Sequence, residues 1–362
     1  MLGKWSKLLI CSLLTLLFLG QSALCADLKK VKVTMLLEHE GFLMWYAKES
    51  KLDHKYGVDI DLTILDSNGI EIMRRHAADP ESWNITATSV IPLLTDTGKA
   101  PLKVIGIAND ESYSTAIVVR PESDILKVKG FNPEYPDIYG SPDTIRNREF
   151  FIKDMTSSAY TFARYLEVFG LNFSDVKVRD VSAGEAIIAL NARNGEGAAL
   201  WSPDTYEAAQ DGFRTVAFAN QLGVSIPMLL IADDKFAREN PDTVASVLAA
   251  YIEALDMQNK DINSFATAYR KFLQVYSGKV FANQFCKYDI ENHSVFGIDE
   301  QLKFFNEDET YESRVKLNLK IVQNSLSKFI FNTQHKGKYF DNVTDEYLKL
   351  ADIFIKENKD VL

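Results

Sequence analysis

The chain has 362 residues, 46% of them hydrophobic, with 40 basic against 50 acidic side chains and a formal net charge of −10. That length suits two lobes sharing one architecture. The acid excess argues against nucleic acid as a partner, because phosphate binding needs a basic surface. At the N-terminus, Lys4 and Lys7 flank the start of an apolar run from Leu8 to Phe18, which Gly20-Gln21-Ser22-Ala23 follows. An apolar core of roughly a dozen residues is short for a bilayer span and suits a secretory signal. Cleavage after Cys25 puts Ala23 and Cys25 at the positions that want small residues, so residues 1–25 read as a signal peptide. A lipid-modified Cys25 is the lesser alternative, since Leu24 is large where lipid attachment wants a small residue. No later apolar run approaches membrane length, and the mature chain is expected to be soluble. Of three cysteines, Cys11 and Cys25 lie in the signal and Cys286 stands alone, so no internal disulfide can form.

From Val31 onward, β-branched apolar runs alternate with amphipathic stretches. Val31 to Leu37 reads as a strand, Phe42 to Lys55 as a helix, and Val58 to Leu65 as a strand. Ile70 to Ala78 is helical, Ile85 to Thr88 a short strand, and Val90 to Thr97 a helix. Leu102 to Ala108 and Thr115 to Val119 are strands. This βαβα rhythm predicts a parallel sheet flanked by helices. Pro121, Pro133, Pro136 and Pro142, with Gly130 and Gly140, then mark a connector. The rhythm restarts with a strand at Phe150 to Lys153, a helix at Ser158 to Phe169 and a strand at Val176 to Val181. Ser182 and Glu185 have capping-box spacing and open the next helix. Ala198 to Trp201, Phe213 to Phe218 and Val224 to Ile231 complete the strands. Asn240 is placed to cap a helix with Pro241 in its first turn, and Val244, Val247, Leu248, Tyr251, Ile252 and Leu255 form its stripe. The remainder to Leu362 reads mostly helical. The chain therefore divides into a signal at 1–25, a first lobe at 27–118 and a second lobe at 119–226. Residues 227–362 return to the first lobe and form a helical C-terminal region.

Open α/β sheets bind ligands beyond the carboxyl ends of their strands, so the strand-to-helix turns are the candidate site. Glu38-His39-Glu40-Gly41 offers Glu38 or Glu40 to a ligand ammonium, or is a solvated cap. Thr86-Ala87-Thr88-Ser89 offers Thr88 at a helix start, and Ser112-Tyr113-Ser114 offers two hydroxyls, Ser112 and Ser114, around one aromatic face. Thr156, Ser157 and Ser158 put three hydroxyls in a row at a helix N-terminus, where free N–H groups and the helix dipole favour an anion. One of them is an ordinary N-cap; three exceed that need. Trp201 can wall a cleft and Asp204 can accept from an amine, with a core tryptophan and a helix cap as the bland alternatives.

Catalytic signals are thin: there is no nucleophile elbow and no phosphate-cradling glycine loop. The five histidines, His39, His54, His76, His293 and His335, show no zinc-ligand spacing, and no metal or other cofactor is expected. Ser325-Leu326-Ser327-Lys328 matches Ser-x-x-Lys without its companion motifs.

The ordered set Ser157-Ser158, Phe169-Gly170-Leu171, Asp175-Val176, Ala186, Ala189-Leu190, Gly195, Ala198-Ala199 and Trp201-Pro203 resembles the second lobe of the taurine, sulfonate and nitrate group of periplasmic substrate-binding proteins. Tyr46-Ala47, Tyr56-Gly57-Val58 and Thr97 to Ile107 match the first lobe more loosely. The resemblance implies an α/β, type II periplasmic-binding-protein fold, with two α/β lobes, a ligand cleft and a helical C-terminal extension. It implies a non-enzymatic periplasmic monomer that closes on a small organic anion or zwitterion such as taurine or an alkanesulfonate. Its partners would then be an ABC permease and ATPase. The group also includes binders of thiamine-precursor pyrimidines, so a neutral heterocycle stacked on Tyr113 or Trp201 is the alternative ligand. A sensory ligand-binding subunit is an alternative role. A pyrimidine synthase on the same fold is disfavoured by the export signal. The chain departs from the group at Arg146-Asn147-Arg148-Glu149, in the connector before it, and in the long helical tail after Tyr276.

Overall fold

A computed structural model describes residues 28–95, 101–308, 310–329 and 342–359. The segment read as a signal, with Cys11 and Cys25, lies outside the described residues, as does His335. The strands are β1 (Lys29–Leu36), β2 (Val58–Leu65), β3 (Ile85–Ser89), β4 (Leu102–Asp110), β5 (Ala116–Val119), β6 (Glu149–Ile152), β7 (Lys177–Asp180), β8 (Gly197–Leu200), β9 (Arg214–Phe218) and β10 (Pro227–Asp233). They form two five-stranded sheets, ordered β2-β1-β3-β10-β4 and β7-β6-β8-β5-β9. Each sheet carries helices, giving two α/β lobes.

The sheets are mixed, where the alternating rhythm predicts parallel ones. β1 runs parallel to β2 and β3, and β6 runs parallel to β7 and β8. In contrast, β10 is antiparallel to β3 and β4, and β5 is antiparallel to β8 and β9. The reversal has a topological cause. β5 and β10 are the strands by which the chain enters a lobe from the other one, so they run against the strands built within it. β5 also pairs wholly within the second sheet. The first crossing therefore falls before Ala116 rather than at the expected 118/119 boundary.

Local chemistry explains most elements. β3, β5 and β8 are buried along their whole length, as central strands covered on both faces must be. The exposed β7 is an edge strand. The long helix Phe42 to Lys55 is instead two, His39–Glu49 and Leu52–Lys55, because Lys51 adopts φ +64° between them. The Ser182 and Glu185 capping box forms as its spacing predicts. Asn240 precedes Pro241–Lys260, but its side-chain amide donates back to Phe236 O instead of capping forward. The connector is irregular apart from a 3₁₀ turn at Asp124–Lys127 and an antiparallel bridge between Lys129 and Tyr139. Ser325 to Lys328 falls inside helix Arg314–Phe329.

The main core runs from the first sheet through Pro241–Lys260, where Val244, Val247, Leu248, Tyr251, Ile252 and Leu255 are all buried, and into the C-terminal helices. Pro241–Lys260 packs on Glu346–Lys359 and on His39–Glu49. Among the described residues, no helix is long and apolar enough to cross a membrane.

Candidate functional site

Four strand ends and one crossing converge between the lobes. β1 ends at Leu36, and Glu38 starts helix His39–Glu49 through its carbonyl, which accepts from Phe42 N–H at 3.0 Å. Its side chain makes no capping bond, so the carboxylate is released toward the cleft. The turn depends on Gly41, where a Cβ would sit 1.9 Å from Leu36 O. Thr88 comes from the end of β3 and packs on Gly69, where a Cβ would meet the Thr88 hydroxyl at 1.8 Å. Glu111 begins the crossing after β4. Its N–H donates to Ile226 O at 3.0 Å, and its carbonyl accepts from Ser114 and Thr115 N–H.

From the second lobe come the N-terminus of Ser157–Val168 and the end of β8. A small cavity of about 20 Å³ sits where these pieces meet. Its lining includes Glu38, Thr88, Glu111, Thr156, Ser157 and Trp201. Five of these six were singled out from the strand-to-helix turns; Glu111 was not. The lining contains no basic side chain.

The three consecutive hydroxyls divide their labour. Thr156 Oγ1 donates to Lys153 O at 2.6 Å and lies 2.9 Å from Ser158 Oγ. Ser158 is completely buried beneath it, while Thr156 and Ser157 line the cavity. Other candidates stand apart. Ser112 N–H donates to Asp110 Oδ1 at 2.8 Å within the crossing, and Ser114 Oγ contacts His293 Nε2 at 3.2 Å. Tyr113 is 48% exposed and outside the lining. Asp204 lies 3.9 Å from Lys279 Nζ and is also outside the lining; burial raises its carboxyl to about 6.

Behind the cavity lies a buried polar cluster that sequence reasoning missed. His39 Nε2 lies 3.0 Å from Gln258 Oε1, and its ring stacks on His293 with centroids 4.7 Å apart. His293 Nδ1 lies 3.2 Å from Asp289 Oδ1. Asp289 also accepts from Ser202 at 2.6 Å, Tyr206 at 2.8 Å and Tyr269 at 2.6 Å. Burial works against both charges of the Asp289–His293 pair. Their mutual attraction overrides it, holding Asp289 down at about 2 and His293 up at about 9. Burial and the His293 charge push His39 down to about 3, so a neutral ring stacks on a charged one.

Glu38, Glu40 and Glu111 face one another here, with carboxylate oxygens within 4.8 Å. All three are buried, Glu40 completely. Burial raises Glu40 to about 7; burial and the Glu40 charge raise Glu111 to about 8. Burial, Glu111 and Glu40 together raise Glu38 well above its ordinary range. The one signal that could have exposed this cluster is the four-residue spacing of Asp289, on helix Asn283–Asn292, and His293 at its C-terminal end. Glu111 carried none, because its neighbours are distant in sequence.

No protein-family model matches the chain. A protein of Brachyspira hyodysenteriae, provisionally named an ABC transporter periplasmic binding protein, is 26% identical over 245 residues, which is 68% of this chain and 70% of that protein. The alkanesulfonate-binding protein SsuA from Xanthomonas axonopodis pv. citri, bound to MOPS, superposes with a TM-score of 0.66 at 14% identity, over 88% of this chain and 99% of that one. The periplasmic nitrate-binding protein NrtA from Synechocystis PCC 6803 gives 0.62 at 14% identity, over 93% and 89%. These relatives are binding proteins, which agrees with the non-enzymatic reading. The chain thus has the periplasmic-binding-protein fold of the sulfonate- and nitrate-binding structures and is similar in sequence to a periplasmic binding protein of an ABC transporter.

Proposed function

We propose that the chain is the periplasmic, signal-exported solute-binding subunit of an ABC importer, and that its lobes close on a small zwitterion such as an amino-sulfonate. The observation that carries the solute class is the pairing of opposite walls in one cavity. Thr156 and Ser157 present a helix N-terminus on one side, and Glu38 and Glu111 present carboxyl groups on the other. The helix end suits the anionic group, and the carboxylates suit an ammonium. An anion alone would meet acidic side chains with nothing to offset them.

Taurine and ethanesulfonate test this, since they share the sulfonate and only taurine carries the ammonium. Titration calorimetry of the mature protein in EDTA should give taurine at least about tenfold tighter binding, consistent with roughly 1.5–3 kcal/mol for a hydrogen bond to a charged group. Glu38→Gln should remove that advantage. Equal affinity for both solutes in the native protein would sink the zwitterion reading.

A second reading rests on Trp201, which lines the cavity with Glu38. A carboxyl held protonated beside an indole suits a neutral aminopyrimidine-like heterocycle, which can both donate to it and accept from it. Including such a heterocycle in the titration separates the two readings.

A further inference from the structure

We propose that Glu38, Glu40 and Glu111 form a binding site for a hard divalent cation of the calcium type at the floor of the cleft. The argument begins with Glu40. It is completely buried, and its carboxylate oxygens have Asn109 and Glu38 beside them without either reaching good hydrogen-bond geometry. A buried carboxylate so poorly partnered is costly, and natural structures keep one only where something compensates it. Other orphans share the neighbourhood. Glu111 Oε1, Thr88 Oγ1 and Asn109 Oδ1 are buried oxygens without a hydrogen-bond partner, and Thr88 lines the cavity with Glu38 and Glu111. Asn109 also lies 3.4 Å from His39 Nδ1 through its amide nitrogen, leaving the oxygen side uncommitted. Every group in this set is an oxygen, which selects against soft metals and favours calcium-like ions.

The three carboxylates lie within 4.8 Å of one another, inside the about 5.2 Å that two oxygens on one calcium can span. Magnesium gives up its water shell reluctantly, so a nearly dry site built from protein oxygens favours calcium. The local counter-charge leaves room for it. His293, 4.0 Å from Glu111, is the cation already present, and Asp289 engages it at 3.2 Å on its other face. His293 is therefore committed to Asp289, and what balances the three carboxyls without a metal is protons, which a cation would displace.

Glu40 is not among the cavity-lining residues, so it can be altered behind the solute-contacting wall. The site goes beyond the solute reading and shares Glu38 and Glu111 with it, so a bound cation and a solute ammonium should compete. Mature protein stripped with EDTA and desalted should bind one Ca²⁺ by titration calorimetry and melt at a higher temperature with it. Ca²⁺ should bind at least tenfold more tightly than Mg²⁺. Glu40→Gln should lose at least tenfold in Ca²⁺ affinity, and Glu111→Gln serves the same purpose if the first variant does not fold. Absence of stoichiometric Ca²⁺ binding, or native affinity in a folded variant, overturns the proposal. The taurine titration is run in EDTA, so solute binding without Ca²⁺ binding refutes the metal site alone. Ca²⁺ binding without solute binding refutes the solute reading alone.

Discussion

Asp289 is the point where four side chains from three parts of the chain meet. Ser202 and Tyr206 reach it from the second lobe, Tyr269 from helix Ile262–Ser277, and His293 from just past its own helix. Ser202 and Tyr206 donate to Oδ1 and Tyr269 to Oδ2 of a carboxylate that is 1% exposed. Asp289→Asn keeps the shape but deletes the charge and leaves His293 buried with only the more distant Glu111, at 4.0 Å, to offset it. Breaking one partner of a buried pair costs about 3–5 kcal/mol, so the variant should lose that much stability in urea unfolding. A change below about 1 kcal/mol would show that the pair is dispensable. The contrast between Asp289 and Trp201 shows what single residues reveal from sequence. Trp201, Thr156, Ser157, Thr88 and Glu38 were legible because each stands at a strand-to-helix turn, where α/β geometry points side chains at the cleft. Asp289, His293 and Glu111 were not, because their importance lies in contacts between residues tens to hundreds of positions apart. Even for legible residues the finer role was hidden: Ser158 looks like its neighbour Ser157, yet only Ser157 lines the cavity.

Among the elements, helix Arg314–Phe329 has the most consequential placement. It packs against Val90–Thr95 in the first lobe and Ser157–Val168 in the second, whose N-terminus forms one wall of the cavity. Val315, Leu319 and Val322 are its buried stripe at helical spacing. This helix therefore spans the two lobes and resists their separation. Leu319 is 1% exposed, and its truncation to Ala should cost about 2–5 kcal/mol by transfer and cavity terms. Because the contact bridges both lobes, the variant should also show faster amide exchange in Ser157–Val168. Stability loss with unchanged exchange there would mean that the helix serves the first lobe alone. The sequence marked the C-terminal region as helical and unusually long, since amphipathic period survives in isolation. Its bridging position could not be read, because nothing in a helix's own periodicity says which two surfaces it will touch. The same limit explains the sheets: strand positions followed from apolar runs, while strand direction depended on which lobe each strand enters from.

At the scale of the whole molecule, the chain crosses between lobes at Glu111–Thr115 and again between β9 and β10, and the two crossings are tied together. Asp110 accepts from Ser225 at 2.6 Å, and Glu111 N–H donates to Ile226 O. Two adjacent, cross-linked connectors define a hinge axis, about which rigid lobes can rotate with few dihedral changes. The cavity at the lobe contact holds about 20 Å³, near the space one water needs. On the proposed reading, a zwitterion of several heavy atoms needs the lobes to part and reclose around it. Across the cavity, Glu38 from one side faces Trp201 from the other. Bringing three carboxyls together raises their hold on protons, and on the two proposals above a metal or an ammonium takes the place of those protons as the lobes close. In EDTA and without solute, small-angle scattering should accordingly report a radius of gyration larger than that of this structure. Adding saturating Ca²⁺ or the solute found by titration should bring it down to that value. A profile that stays the same at saturation would show that the lobes do not close on what they bind.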